Sequence, residues 1–170
     1  MPPESLKAPV VVFACGNPSR GDDALGPLLL DRLQDWLDAE GLAGGFELIG
    51  DFQLQIEHAL DLAGRRLALF IDAGHGTTAP FVFREAVAVD RPGHSTHALP
   101  PESVLAVLPR VSTEAPPPAF VLCVRGEKFE LGEGLSDAAS AYAEAAFNLL
   151  QHLCGNPEVD AWRTSANNRV

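Results

Sequence analysis

Two adjacent carboxylates, Asp22 and Asp23, lie in the stretch CGNPSRGDDALG, which runs from Cys15 to Gly26. The stretch follows an apolar, strand-like run and precedes an amphipathic helix pattern, so it lies where open α/β sheets bind their ligands. A phosphate-binding loop would offer amides and a lysine at this position. The two acids instead favour a metal site or an acid–base site over a nucleotide pocket.

Two further polar segments are predicted to reach the same edge of the sheet. Asp72 directly follows the apolar run Leu67–Ile71, and His94 and His97 lie in the segment GHSTH before a predicted helix. The carboxyl ends of neighbouring parallel strands converge on one crevice. Two carboxylates and one imidazole suit a borderline divalent cation and leave coordination positions open for a substrate.

Each of these residues also has a simpler interpretation. Asp22 or Asp23 could cap the first helix, although only one of them can occupy the cap. Asp72 is harder to explain structurally, because burying an uncompensated carboxylate costs several kcal/mol. Lone loop histidines are usually surface residues. A thiolate nucleophile formed by Cys15 with His97 is a further alternative.

Several enzyme classes lack their sequence signatures here. The chain contains no GxSxG elbow and no GxxxxGK[ST] loop, which argues against a serine hydrolase and a P-loop enzyme. The first turn also lacks GxGxxG, so dinucleotide binding has little support.

The composition is that of a globular, acidic protein. The 170 residues are 46% hydrophobic and 21% charged, with a net charge of −11, which argues against nucleic acid and anionic membranes as partners. The three cysteines are too dispersed for a disulfide framework. We expect no signal peptide and no membrane span, and therefore a cytoplasmic protein.

The hydrophobic pattern alternates between strands and helices. Buried strands are predicted at Val10–Ala14, Phe46–Gly50, Leu67–Ile71 and Ala119–Val124, with an edge strand at Phe81–Val89. Helices are predicted from Leu25, over Leu54–Ala63 and Pro101–Val111, and from a Ser136 cap to about Leu153. This alternation indicates a three-layer α/β/α sandwich. We expect one domain over residues 1–155 and a flexible tail over residues 156–170.

These motifs resemble those of the nickel–iron hydrogenase maturation endopeptidases. The resemblance rests on GNPSRGDDALGP, on the DAG that ends the Leu67 strand, and on HSTHALPPESVL. It extends over about Val10 to Leu150, with the three motifs in the family's order. It implies an α/β fold with a five-stranded mixed, mostly parallel sheet between helices.

The resemblance also implies an activity. Members of this family remove a short C-terminal extension from the hydrogenase large-subunit precursor after nickel insertion. Two carboxylates and one histidine contact the nickel, which implies Asp23, Asp72 and His97 as the catalytic and metal-contacting residues here. Gly16, Asn17 and Asp22 would support them, with Asp22 capping the helix and orienting Asp23.

The resemblance further implies that nickel comes with the precursor, the expected partner, and we expect no tightly bound resident metal. The segments DFQLQIEHALDL and HSTHALPP are most similar to proteases of cytoplasmic, NAD-linked hydrogenases. Two rival functions remain: a chaperone that binds nickel or the precursor without cutting it, and a metallopeptidase with its own zinc.

Overall fold

The computed structural model describes residues 7–89 and 99–168. The described chain forms five strands and five α-helices, which alternate except where β4 follows β3 and α5 follows α4. The strands are β1 (Val10–Cys15), β2 (Phe46–Asp51), β3 (Leu67–His75), β4 (Phe81–Ala86) and β5 (Ala119–Gly126). The helices are α1 (Leu25–Ala39), α2 (His58–Leu62), α3 (Pro101–Val111), α4 (Asp137–Gly155) and α5 (Val159–Asn167).

The strands form one mixed sheet in the order β2-β1-β3-β5-β4. All neighbours are parallel except β4, which pairs antiparallel with β5 at the edge. The chain leaves β1 towards β2 on one side and then crosses to β3 on the other side. This reversal makes the carboxyl ends of β1 and β3 a topological switch point, where open sheets form their binding crevices.

Two hydrophobic layers cover the sheet. Alternate residues of β1 and β3, such as Val12 and Leu69, face α1, α4 and α5, while Phe13 and Phe70 face α2 and α3. Because both faces are covered, the central strands are continuous apolar runs. The predicted three-layer sandwich with a mostly parallel, five-stranded mixed sheet is confirmed.

Some element boundaries differ from the predictions. Strand β3 continues through Asp72 to His75, since its outer residues still pair with β5. Helix α2 begins at His58, four residues after the predicted start at Leu54. The predicted helix Pro101–Val111 has the observed bounds, and Ser136 caps α4 by accepting a hydrogen bond from the Ala139 N–H.

The expectation of a flexible tail after residue 155 is wrong for most of that segment. Helix α5 lies there, and its Trp162 side chain is fully buried and donates a hydrogen bond to the Leu153 carbonyl. Val159, Trp162 and Ala166 share one helical face that packs on the core. Four apolar residues in nine, two of them alanines, are a weak periodic signal that does not predict a helix. In the described part of the chain, no helix is long and apolar enough to span a membrane.

Candidate active site

The turn after β1 is held by a glycine and by the side chain of Asp23. Gly16 has φ +149°, and a β-carbon there would lie 2.0 Å from the Asp23 carbonyl oxygen, so only glycine fits. The Asn17 N–H donates to Asp23 Oδ2 at 2.7 Å, and the Asn17 side-chain oxygen accepts from the Ser19 N–H. Asn17 thus holds the turn through both its backbone N–H and its side chain. Asp23 is therefore presented on a rigid loop at the carboxyl end of β1.

Asp22 does not cap α1, and the structure shows no contact by which it orients Asp23. The residue before α1 is Ala24, and no side chain caps that helix. The buried Asp22 carboxylate instead accepts hydrogen bonds from the N–H groups of Glu127, Lys128 and Ser136 and from the Ser136 hydroxyl. Burial alone would raise its pKa, but these donors outweigh burial and lower it. Asp22 thus ties the turn to the start of α4.

Asp72 faces the same crevice from β3. The Asp72 side chain is open to solvent, yet the surrounding crevice wall removes enough water to raise its pKa to about 6. The Ala73 N–H opposes this rise, and the negative charge of Asp23 adds to it. The charge of Asp23 therefore acts on Asp72 across the crevice. Like charges held together in this way bind a proton or a cation more readily than isolated acids do.

Both carboxylates line a cavity of about 750 Å³. Phe13, Phe70 and Val121 contribute its apolar walls, while Arg84 and the loop residue Gln53 contribute polar groups. The volume lies within the range typical of binding pockets. A segment of polypeptide could lie in this cavity with its backbone beside the two acids.

Cys15 also lines this cavity but is poorly suited to act as a nucleophile. Burial raises the pKa of its thiol to about 12, and the charges of Asp72, Asp51 and Asp23 contribute to the rise. The thiolate is the reactive form of cysteine, so a thiol surrounded by carboxylates stays protonated and unreactive at neutral pH. The surroundings of Cys15 thus argue against the alternative of a thiolate formed with His97, a residue outside the described part of the chain.

The predicted third metal contact, His97, lies outside the described residues, as does His94. Within residues 7–89 and 99–168, no three His, Cys, Asp or Glu side chains are grouped to hold a metal. Asp23 and Asp72 together suit a divalent cation whose other ligands come from elsewhere.

The sequence analysis missed a third carboxylate at this edge of the sheet. Asp51 ends β2, its Oδ1 accepts from the Phe52 N–H, and its Oδ2 lies 3.5 Å from His58 Nε2. The His58 Nδ1 accepts from the Gln55 N–H at 2.8 Å, so the ring proton of neutral His58 is on Nε2, towards Asp51. The rule that located Asp72, a carboxylate at a strand end, would also have located Asp51.

Several solved structures have the same fold as this chain. A hydrogenase maturation protease HycI from Thermococcus kodakarensis matches with a TM-score of 0.66 at 24% identity, over 89% of this chain and 96% of its own. The hydrogenase maturating endopeptidase HybD from Escherichia coli matches at 0.60 and 21%, over 84% and 90%. An Escherichia coli endopeptidase matches at 0.63 and 22%, over 92% and 93%.

The chain has the fold of these hydrogenase maturation proteases. No family model matches the sequence, and a search of curated proteins gives no significant match. At these identities the likeness extends to the fold alone, so the activity has to be argued from the residues of this chain.

Proposed function

We propose that this protein is an endopeptidase that removes the C-terminal extension from the nickel-loaded precursor of a nickel–iron hydrogenase large subunit. The observation that carries the proposal is that the carboxylates of Asp23 and Asp72 both line one cavity at the switch point of the sheet. The shared fold with solved hydrogenase maturation proteases supports it. We expect the reaction to take place in the cytoplasm.

Nickel belongs to the substrate in this proposal. The precursor brings the ion, and Asp23, Asp72 and His97 contact it, so that only a precursor that has received its metal is engaged. Two carboxylates, one on the turn after β1 and one on β3, bind a divalent cation weakly on their own, which makes recognition depend on the ligands that the precursor supplies. Leu99 lines the cavity and follows His97 by two residues in sequence, which supports a role for His97 here.

The chain's own residues position the reaction. Gly16 allows the Asp23 carbonyl to approach β1, and the Asn17 N–H fixes the Asp23 carboxylate. The extended precursor segment lies along the cavity with its scissile peptide beside the bound ion. A cation there can polarise the carbonyl or activate a water molecule.

The test uses purified nickel-loaded precursor and variants that keep the fold. Asp23→Asn retains an oxygen that can accept from the Asn17 N–H, and Asp72→Asn is similarly close in shape. We expect both, and His97→Ala, to lower kcat/KM on the order of 100-fold or more. Asp35→Asn makes the same charge change on the exposed face of α1 and serves as the matched control.

The outcomes separate this proposal from its rivals. Undiminished shortening by the three variants would exclude the nickel-contact mechanism, and a defect in His94→Ala alone would identify a different histidine. Binding of the precursor without any shortening would favour a chaperone. Near-stoichiometric zinc in protein purified without added metal would favour a resident-metal peptidase. Rapid cleavage of nickel-free precursor would contradict the proposal that only a metal-loaded precursor is engaged.

A further inference from the structure

A second groove lies next to the candidate active site, on the other side of Phe52. It has a volume of about 370 Å³, and Phe52 lines both this groove and the main cavity. Gly16, which also lines the groove, directly follows Cys15 of the main cavity. A polypeptide extended through the main cavity could therefore cross Phe52 and place one side chain in this groove, which we call the Asp31 groove.

The Asp31 groove combines apolar walls with two carboxylates. Leu30 and Pro27 of α1 and the Phe52 ring provide apolar surface, while Asp31 and Asp51 are the acidic lining residues. None of its lining residues carries a positive charge. The groove thus offers an aliphatic contact surface together with negative charge.

Both carboxylates are available to a ligand. The Asp31 side chain is exposed and has no hydrogen bond or ion pair with any other residue that the structure describes. Asp51 is oriented by the Phe52 N–H and by His58 Nε2, with its side chain 36% exposed. The His58 Nδ1 accepts from the Gln55 N–H, so Nε2 is the ring nitrogen that faces Asp51.

We infer that the Asp31 groove binds a lysine or arginine side chain of the polypeptide substrate, close to the segment that occupies the main cavity. The aliphatic part of such a side chain packs on Leu30 and Phe52, and its charged end reaches Asp31 and Asp51. Long cationic side chains commonly bury their stems while the charge stays near water. The inference rests on the proposed function, since it assigns this groove to the same substrate.

The first test compares two variants of α1. Asp31→Asn removes one carboxylate from the groove, and Asp35→Asn removes an equally exposed carboxylate one helical turn further on. We expect Asp31→Asn to raise KM for the nickel-loaded precursor by about threefold to fivefold at low salt, with kcat unchanged and the difference reduced at high salt. Equal KM values for the two variants would overturn the inference.

The second test changes the substrate. Lysines and arginines near the cleavage point of the precursor are replaced one at a time by methionine, which keeps an apolar side chain and removes the charge. One replacement should raise KM for the wild-type enzyme and raise it by a smaller factor with Asp31→Asn, which retains Asp51. Additive effects at every position would contradict the inference. A wild-type enzyme that leaves the nickel-loaded precursor unshortened would instead contradict the proposed function itself.

Discussion

Replacing Asp22 tests whether one buried carboxylate holds the active-site turn against α4. The side chain is fully buried and accepts from three backbone N–H groups and one hydroxyl, at 2.7–3.0 Å. In Asp22→Ala the N–H groups of Glu127, Lys128 and Ser136 lose this acceptor. Water can reach the exposed Glu127 and Lys128, so we take about 1 kcal/mol per lost bond, or about 3 kcal/mol in all.

Asp22→Asn should lower the free energy of unfolding by less than Asp22→Ala does. Oδ2 accepts three of the four hydrogen bonds and Oδ1 accepts one, from the Ser136 N–H. An asparagine can keep its oxygen at the Oδ2 position and turn its amide towards Ser136, which loses one bond and the charge. We expect a loss of about 1–2 kcal/mol, between wild type and Asp22→Ala.

The difference in stability between wild type and Asp22→Asn should depend on pH. The pKa of Asp22 is lowered on folding from its ordinary value of 3.8. Its ionised form therefore stabilises the folded protein fully above the unfolded pKa, and this contribution is lost as the pH falls through the folded pKa. The gap in unfolding free energy between wild type and Asp22→Asn should be constant near neutral pH and should narrow as the pH falls below about 3.8.

Urea unfolding at pH 7 and at a series of acidic pH values measures these differences. For a chain of this length, about 3 kcal/mol corresponds to a Tm lowered by roughly 10 °C. Asp35→Asn, an exposed change of the same kind, should stay within about 0.5 kcal/mol of wild type. An Asp22→Ala protein as stable as wild type, or a gap that does not change with pH, would refute the reasoning.

Two further substitutions test the turn and the C-terminal helix. Gly16→Ala should destabilise the fold by about 2–4 kcal/mol and abolish precursor shortening, because the new β-carbon clashes with the Asp23 carbonyl oxygen. An unchanged midpoint of urea unfolding would contradict this. Trp162→Ala should lower the free energy of unfolding by about 3–5 kcal/mol, since the buried ring packs on Phe120 and donates a hydrogen bond to the Leu153 carbonyl. A loss below about 1 kcal/mol in urea unfolding would mean that α5 contributes little to stability.

The sheet and most helices could be predicted from the sequence because their signals are local. Continuous apolar runs such as Val10–Ala14 predict strands covered on both faces, and the Ser136 cap predicts the start of α4. Helix α5 could not be predicted in this way. Its burial depends on Trp162 reaching Phe120 and Leu153, a contact between distant parts of the chain that leaves little periodicity in a short segment.

The candidate site was predictable as a location but not as a set of contacts. The strand-end rule brought Asp23 and Asp72 to one crevice, and both line the same cavity. The partners of Asp22 lie more than 100 residues away in sequence, at Glu127, Lys128 and Ser136, so no local pattern could distinguish this tie from a helix cap.

Asp22 and Asp23, adjacent in the turn after β1, differ in the number of hydrogen-bond donors around their carboxylates. Asp22 is surrounded by four donors that hold it ionised, which leaves it little capacity to bind a substrate. Asp23 accepts one backbone hydrogen bond in the described structure, and Asp72 accepts one from Ala73 while the crevice raises its pKa. The carboxylates with unused acceptor sites are those that face the cavity, so cation binding falls to Asp23 and Asp72 and structural support falls to Asp22.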